Sequence, residues 1–172
     1  MKLIVGLGNP DAKYNFTRHN SGFLALDFYL KRKQLAWEKQ PKFGAVWARY
    51  AETLFVKPQD YYNESGRAVG DFMRYYKIPA KNILVICDNF DLKFGAVRMR
   101  KKGAAAGNNG LKSVDAAIGT EYPRIRIGTG DDEKRRRMGD VDFVLSKFDA
   151  AEKEQLPEIL AEVEQKIDEF IG

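Results

Sequence analysis

Cysteine is almost absent from this sequence, since Cys87 is the only one among 172 residues. A single cysteine cannot form an internal disulfide, and it excludes a metal cluster built on cysteine ligands. It also agrees with a protein of a reducing compartment. Cys87 ends the apolar run ILVIC, so we interpret it as a small core residue rather than as a nucleophile.

Long apolar runs are absent as well. No stretch approaches the roughly 20 apolar residues that a membrane-spanning helix needs. The start, MKLIVGLGNP, has one lysine and a short apolar stretch that glycine and proline end. It lacks the longer apolar region and the small-residue cleavage site of a secretory signal. We therefore expect a protein of the cytoplasm with no membrane partner.

Histidine is equally scarce, because His19 is the only one. Without a second histidine or a second cysteine, a zinc site has no ligand set, and carboxylates alone would suit only a weak magnesium site. The glycines of GLGNP do not form the G-x-G-x-x-G fingerprint, and no Walker loop is present. We expect neither a metal nor a nucleotide cofactor.

Acidic residues are concentrated at the end of the chain. From Asp149 onward there are 8 acidic and 2 basic residues, whereas 27 basic and 16 acidic residues precede it. The earlier part therefore has a net charge of +11, although the whole chain has only +5. Two dense basic runs, 98–102 and 134–137, lie in or near predicted loops. One such run is usually a solvated surface, but two of them favour a polyanionic partner such as nucleic acid.

Hydrophobic periodicity predicts alternating strands and helices. We therefore expect an α/β fold, a single domain over residues 1–172 whose mixed, mostly parallel twisted sheet has helices on both faces. The predicted helices are 21–33, 64–76, 109–118 and one in the acidic terminal segment. The predicted strands are Lys2–Leu7, Ala45–Tyr50, Thr53–Lys57, Ile83–Cys87, Ala96–Arg100, Arg124–Gly128 and Val141–Leu145.

Two polar residues that could carry out acid–base chemistry follow predicted elements of this sheet, where α/β proteins place ligands. His19 lies in the loop TRHNSG and is a candidate general base. Asp88 follows ILVIC, where we expect the chain to leave the sheet, and its carboxylate is suited to orient an imidazole. The alternatives are a surface or capping histidine and an aspartate that caps a turn with Asp91.

Asn9, Asn63 and Asn109 each lie beside glycine, proline or an element boundary. An asparagine amide offers both a donor and an acceptor, so it can hold a carbonyl or a peptide amide. Asparagine in loops is more often a turn or cap residue. Both interpretations of these three residues stay open from their positions alone.

Six segments in order resemble the bacterial peptidyl-tRNA hydrolase family. They are GLGNP, followed by Tyr14 and TRHNSG, then KPQDYYNESG, DNFDLKFG, GNNGLKS and RIRIGTG. Together they run through roughly residues 3–148, and their order makes the resemblance specific. It implies a monomeric α/β domain that hydrolyses the ester between peptide and tRNA in peptidyl-tRNA, without a metal or cofactor.

The resemblance also implies roles for individual residues. His19 would be the catalytic histidine, Asp88 its carboxylate partner, and Asn9 a third catalytic residue. Asn9, Asn63 and Asn109 would position the water, the peptide and the ester carbonyl. The residues implied in substrate binding are Tyr14, Tyr62, Asn63 and Asn109. Those implied in holding the 5′ phosphate of tRNA are Arg100 and Arg126, for which the alternative is pairing with nearby acids.

The sequence departs from the family pattern at several positions. Asp11 replaces a glycine, Asp60 a threonine, Tyr62 a methionine that lines the peptide channel, and Asn108 a histidine. A phenol at position 62 would narrow that channel and add a hydroxyl. These changes leave open a noncatalytic RNA-binding relative of the same fold, against which the retained histidine and aspartate argue. A hydrolase of another acyl ester or amide would leave the basic runs unexplained.

Overall fold

A seven-stranded mixed sheet forms the centre of the computed structural model, which describes residues 1–172 without a gap. The strands are β1 Lys2–Gly6, β2 Glu38–Gln40, β3 Ala45–Tyr50, β4 Thr53–Pro58, β5 Ile83–Lys93, β6 Val97–Arg100 and β7 Arg124–Gly130. Their order in the sheet is β2-β3-β4-β1-β5-β7-β6. The four central strands are parallel, and the outer strands β2, β3 and β6 pair antiparallel.

Helices cover both faces of this sheet. They are α1 Ser21–Arg32, α2 Gly66–Tyr76, α3 Asn109–Ile118, α4 Asp132–Met138, α5 Asp140–Val144 and α6 Ala150–Ile171. Helices α2 and α3 pack on one face with Leu3 and Val5 of β1, whereas α1 and α6 pack on the other with Ile4. Burying each of these side chains contributes about 2 kcal/mol. The expected mixed α/β fold is confirmed, and none of the helices is both long and apolar enough to cross a membrane.

The predicted strand at Val141–Leu145 is wrong, because this segment forms α5 and the residue after it. The alternation VDFVL is typical of a strand, which would turn Val141, Phe143 and Leu145 toward one buried face. Only Phe143 is buried, and Val141 is exposed. A strand would bury every second residue, whereas a single helical turn is sufficient to bury one side chain. The alternation of apolar residues therefore does not indicate a strand here.

The basic run 134–137 lies within helix α4 rather than in a loop. The Asp131 side chain accepts a hydrogen bond from the Lys134 backbone N–H at 3.1 Å and so caps the helix. Acidic residues occupy the first turn and arginines the last turn, which suits the helix dipole. The order of charges along this segment, acidic first and basic last, therefore stabilises a short helix.

Strand β5 continues through Asp88, so the expectation that the chain leaves the sheet there is wrong. Asp88 pairs with Ile127 and Asn89 with Gly128 of β7, and the register shifts only between Asn89 and Lys93. The sequence does not show that the strand continues, because the apolar run ends at Cys87. The backbone pairing with β7 extends beyond that residue. The backbone of Asp88 is consequently held by the sheet.

A buried ion pair fixes the segment before α1. Arg18 donates to Glu152 of α6 through Nη1 at 2.7 Å and Nη2 at 2.9 Å, and its Nε donates to Ser146 Oγ at 3.1 Å. The guanidinium also lies 4.6 Å from the ring centroid of Phe143. The pair joins residues that are 134 apart in the chain, and these contacts together hold the backbone next to His19.

Glu152→Gln should lower the free energy of unfolding by about 3 kcal/mol, because the neutral amide leaves the buried Arg18 guanidinium without a counter-charge. Urea unfolding measures this change. The matched control is Glu121→Gln, which alters an exposed ion pair with Lys102 and should leave the urea midpoint nearly unchanged. Equal, small effects in both variants would show that the Arg18 pair does not stabilise the fold.

Candidate active site

His19 and Asp88 are in direct contact. His19 lies in a short 3-10 turn, Arg18–Asn20, immediately before α1, and Asp88 lies on β5. The imidazole Nδ1 is 3.0 Å from Oδ1 and 2.9 Å from Oδ2 of the carboxylate. The Asp88 side chain is 1% exposed, whereas that of His19 is 17% exposed. A carboxylate at Nδ1 favours the tautomer that carries its proton there, which leaves Nε2 free to accept a proton.

Close backbone packing makes this contact possible. A Cβ atom on Gly22, the second residue of α1, would lie 2.3 Å from the Ile86 carbonyl oxygen on β5 and 2.5 Å from the Leu7 nitrogen. Only glycine allows the start of α1 to approach the two central strands so closely. The glycine of the TRHNSG loop therefore brings His19 within reach of Asp88.

Tyr62 packs directly against the pair. Its ring is stacked on the imidazole with centroids 3.5 Å apart and planes 16° apart, and its hydroxyl donates to Asp88 Oδ1 at 2.7 Å. The residue is 3% exposed. Burial first, and then the negative charge of Asp88, raise the pKa of Tyr62 well above its usual range. The phenol therefore keeps its proton and acts as a neutral donor.

Asn108 extends this network from the start of α3. Its Oδ1 accepts from the Leu111 backbone N–H at 3.0 Å, and its Nδ2 donates to the Tyr62 hydroxyl at 2.8 Å and to the Asp88 carbonyl oxygen at 3.2 Å. A Cβ atom on Gly110 would lie 2.5 Å from the Tyr62 ring, so glycine is needed there. The two departures from the family pattern, at 62 and 108, are thus in contact with each other.

Asn9 is held in place by its neighbours. Its backbone N–H donates to Asn20 Oδ1 at 2.8 Å, and Asn20 Nδ2 donates back to its carbonyl oxygen at 2.9 Å. Its own Oδ1 accepts from the Tyr62 backbone N–H at 2.9 Å. The acceptor of the Asn9 amide is therefore used within the protein, which leaves Nδ2 to donate to a ligand. Asn20 was overlooked in the sequence, although its position next to His19 in TRHNSG could have indicated it.

The other proposed substrate residues lie at the ends of short elements. Asn63 is exposed in a 3-10 turn with Tyr62, and Asn109 is exposed as the first residue of α3. Tyr14 is half-buried in the turn Ala12–Tyr14, with Lys13 Nζ 5.0 Å from its ring centroid. Asn63 and Asn109 are adjacent in the chain to members of the Tyr62–Asn108 network, whereas Tyr14 makes no hydrogen bond to it through its side chain.

An open cavity of about 400 Å³ borders the segment that holds Asn9 and His19. Pro10 and Asn20, their neighbours in the chain, contribute to its wall. Phe23 and Trp37 supply aromatic surface on the other side. Neither His19 nor Asp88 lines this cavity, so it lies next to the segments that hold the pair and not at the imidazole itself.

Arg100 and Arg126 lie on one arginine-rich face of β6 and β7. In the antiparallel register Arg98 is opposite Arg126, and Arg100 is opposite Arg124. Arg124 is fully buried and its Nε has no hydrogen-bond partner, while Arg126 Nη2 donates to the Ala104 carbonyl oxygen at 2.6 Å. Arg100 and Arg126 form no ion pair with an acid. We refer to these four arginines as the β6–β7 arginine face.

The arginine face adjoins the histidine site. Arg126 lines the same small hollow as Asp88 and Asn108. Cys87, on the neighbouring position of β5, is fully buried, and burial raises the pKa of its thiol. This confirms that Cys87 is a core residue. No group of three or more histidine, cysteine, aspartate or glutamate side chains is arranged to hold a metal ion.

Known proteins similar to this chain in sequence are peptidyl-tRNA hydrolases. The family model described as peptidyl-tRNA hydrolase matches residues 3–172. A peptidyl-tRNA hydrolase of Lactobacillus delbrueckii subsp. bulgaricus is 43% identical, over 100% of this chain and 94% of its own length. One of Fusobacterium nucleatum is 39% identical, over 100% of this chain and 90% of its own length.

The fold has a close counterpart among solved structures. The crystal structure of peptidyl-tRNA hydrolase from Acinetobacter baumannii superimposes with a TM-score of 0.89 at 30% identity, and the match covers 98% of this chain and 87% of that one. Fold and sequence agree over nearly the whole length of both proteins. This chain therefore belongs to the peptidyl-tRNA hydrolase family.

Proposed function

We propose that this protein hydrolyses the ester bond between peptide and tRNA in peptidyl-tRNA, with His19 as the general base. The observation that carries the proposal is the contact between His19 Nδ1 and the buried Asp88 carboxylate. Asp88 orients the imidazole and stabilises the cation that forms when Nε2 takes a proton from water. The activated water then attacks the ester carbonyl carbon.

The tetrahedral intermediate needs a donor for its oxyanion. Asn9 is the candidate, because its Oδ1 accepts from the Tyr62 backbone N–H and the amide nitrogen is left for a ligand. Removal of one such donor costs about 3 kcal/mol in other hydrolases. Asn63 and Asn109, which are exposed near the site, are positioned to bind the amides of the peptide. Recognition of a peptide amide would separate peptidyl-tRNA from ordinary aminoacyl-tRNA.

The β6–β7 arginine face supplies the proposed tRNA contact. Like charges placed directly opposite each other on neighbouring strands destabilise a sheet. Asp115 lies 3.8 Å from Arg124, but Arg100 and Arg126 themselves have no acidic partner, so the geometry does not support the alternative that these two pair with nearby acids. A 5′ phosphate would relieve it, and the planar guanidinium suits two-pronged phosphate contacts.

The proposal also includes a monomer that acts in the cytoplasm, with residues 1–172 working as one domain and no stable protein partner. The resemblance to the family and the positively charged first part of the chain support it. Sedimentation of the free protein, alone and with tRNA, tests the oligomeric state.

A noncatalytic RNA-binding protein of the same fold is the second candidate, and the arginine face would serve it equally well. The His19–Asp88 contact favours the enzyme, because RNA binding needs no oriented imidazole. The test compares an N-acetylated aminoacyl-tRNA with the unblocked aminoacyl-tRNA and follows release of free tRNA. Selective hydrolysis of the blocked substrate supports the proposal, whereas binding of both without hydrolysis supports the alternative.

His19→Ala should lower kcat/KM for the N-acetylated substrate by at least about 100-fold, because the general base is lost. The variant should remain folded, since the histidine lies in a turn and contributes little to either core. Circular dichroism and tRNA binding, both expected to resemble those of the wild type, are the controls. A folded variant with near-normal turnover would remove His19 from the mechanism.

Arg100→Ala and Arg126→Ala should each raise KM and leave kcat nearly unchanged, because a contact to the 5′ phosphate contributes to binding and not to the proton transfer at the ester. Each should also reduce the salt dependence of binding by about one phosphate contact. The matched control is Arg32→Ala on α1, where the arginine is paired with Glu164.

A substrate without the 5′ phosphate tests whether these two arginines bind that phosphate. Wild type should bind it more weakly, and the two variants should lose that preference while Arg32→Ala keeps it. If wild type does not distinguish the substrates, the phosphate assignment is wrong.

A further inference from the structure

Asp88 depends on a small number of hydrogen bonds. The residue is 2% exposed, and the only basic side chain within ion-pair distance is that of His19. A buried carboxylate stays ionised only where donors replace the lost water. The Tyr62 hydroxyl, at 2.7 Å from Oδ1, is the shortest of these contacts.

In this network, the backbone N–H of Leu111 determines which group donates in each of the following hydrogen bonds. The Leu111 N–H can only donate, so the Asn108 oxygen faces it and the Asn108 NH₂ must face Tyr62. Since Nδ2 donates to the phenol oxygen, the phenol proton is directed to Asp88 Oδ1. The chain from the start of α3 to the carboxylate is therefore polarised toward Asp88.

We propose that Tyr62 is a positioning residue that shares the Asp88 carboxylate with His19, and that it thereby sets the pH range in which His19 can accept a proton. Asn108 fixes the direction in which Tyr62 donates. The inference rests on the proposed hydrolytic function for its kinetic consequence, but the network can also be tested without a substrate. It assigns the buried hydroxyl a role within the site instead of in the peptide channel.

The direction in which Tyr62 changes protonation of the His19–Asp88 pair can be predicted. In the wild type the hydrogen bond from the phenol stabilises part of the negative charge on the Asp88 carboxylate. When the hydroxyl is removed, more of that charge acts on the imidazole, and protonation of the His19–Asp88 pair becomes easier. Tyr62→Phe removes the donor but keeps the ring stacked on the imidazole. The proton should therefore bind at a higher pH in this variant, while the geometry of His19 is preserved.

The remaining titratable groups around the pair do not change in this variant. The Cys87 thiol stays neutral because burial raises its pKa, and Arg126 stays charged. Arg18, next to His19, is neutralised by Glu152. Helix α5, which also packs against the turn of His19, carries the exposed acids Asp140 and Asp142.

The experiment uses the fact that the chain has one histidine. In protein prepared without a histidine tag, histidine-selective NMR gives a single titration, that of His19. We expect Tyr62→Phe to move its midpoint upward by about half a unit to one unit of pH. The acidic limb of the kcat/KM profile should move by the same amount.

Tyr29→Phe is the matched control. Tyr29 is also 3% exposed, and its hydroxyl also donates to a carboxylate, Asp168, at 2.7 Å, on the opposite face of the sheet. Its loss of the hydroxyl should leave both titrations unchanged. An unmoved or lowered midpoint in Tyr62→Phe, or an equal movement in the control, overturns the inference.

A second variant covers the case in which Tyr62→Phe does not fold. Asn108→Ser keeps a side chain that can cap α3 but removes the amide donor to the phenol. It should move the NMR midpoint in the same direction by a smaller amount, and no movement overturns the inference. If wild type fails to hydrolyse the N-acetylated substrate but the midpoints move as expected, the proposed function is wrong and the network stands. If wild type is active and the midpoints do not move, only the inference is wrong.

Discussion

A buried carboxylate must be surrounded by donors, and the arrangement of this molecule around Asp88 follows from that requirement. Strand β5 holds the backbone of Asp88 at the centre of the sheet. His19, from the turn before α1, and Tyr62, from the turn after β4, contact its carboxylate. Asn108, from the start of α3, donates to its backbone carbonyl oxygen. The carboxylate thus joins distant parts of the chain, and the same contacts that satisfy it also orient the imidazole.

The supports of the site are distributed over both faces of the sheet. On one face, α2 and α3 pack over the core that contains Tyr62 and Leu111. On the other, α6 reaches back to the turn of His19 through the Arg18–Glu152 ion pair. The acidic character of α6, which in the sequence stands apart from the basic body, therefore has a structural use at Glu152. On the β6–β7 arginine face, by contrast, Arg100 and Arg126 have no acidic partner, and the proposed tRNA contact rests on these two residues.

Sequence patterns predicted the sheet and most helices because local periodicity and burial agree there, as in β1 and α3. The resemblance implied catalytic roles for His19, Asp88 and Asn9, and in the structure His19 contacts Asp88 while Asn9 is bonded to the Tyr62 backbone. The contact between His19 and Asp88 could not be predicted from the residues alone, because it depends on the close approach that Gly22 allows. Periodicity failed at Val141–Leu145, where one buried residue, Phe143, was insufficient to separate strand from helix. The Tyr62–Asn108 network was also beyond prediction, since its hydrogen bonds depend on side-chain directions in three separate elements.

The central claim is that His19 and Asp88 act as one unit, and a double-mutant cycle tests it most directly. Single-turnover rates on N-acetylated aminoacyl-tRNA would be measured for wild type, His19→Ala, Asp88→Asn and the double variant. If Asp88 acts through the imidazole, the double variant should be no more than about threefold slower than His19→Ala alone. Losses that multiply, so that the double variant is slower by the product of the two single effects, would contradict the account.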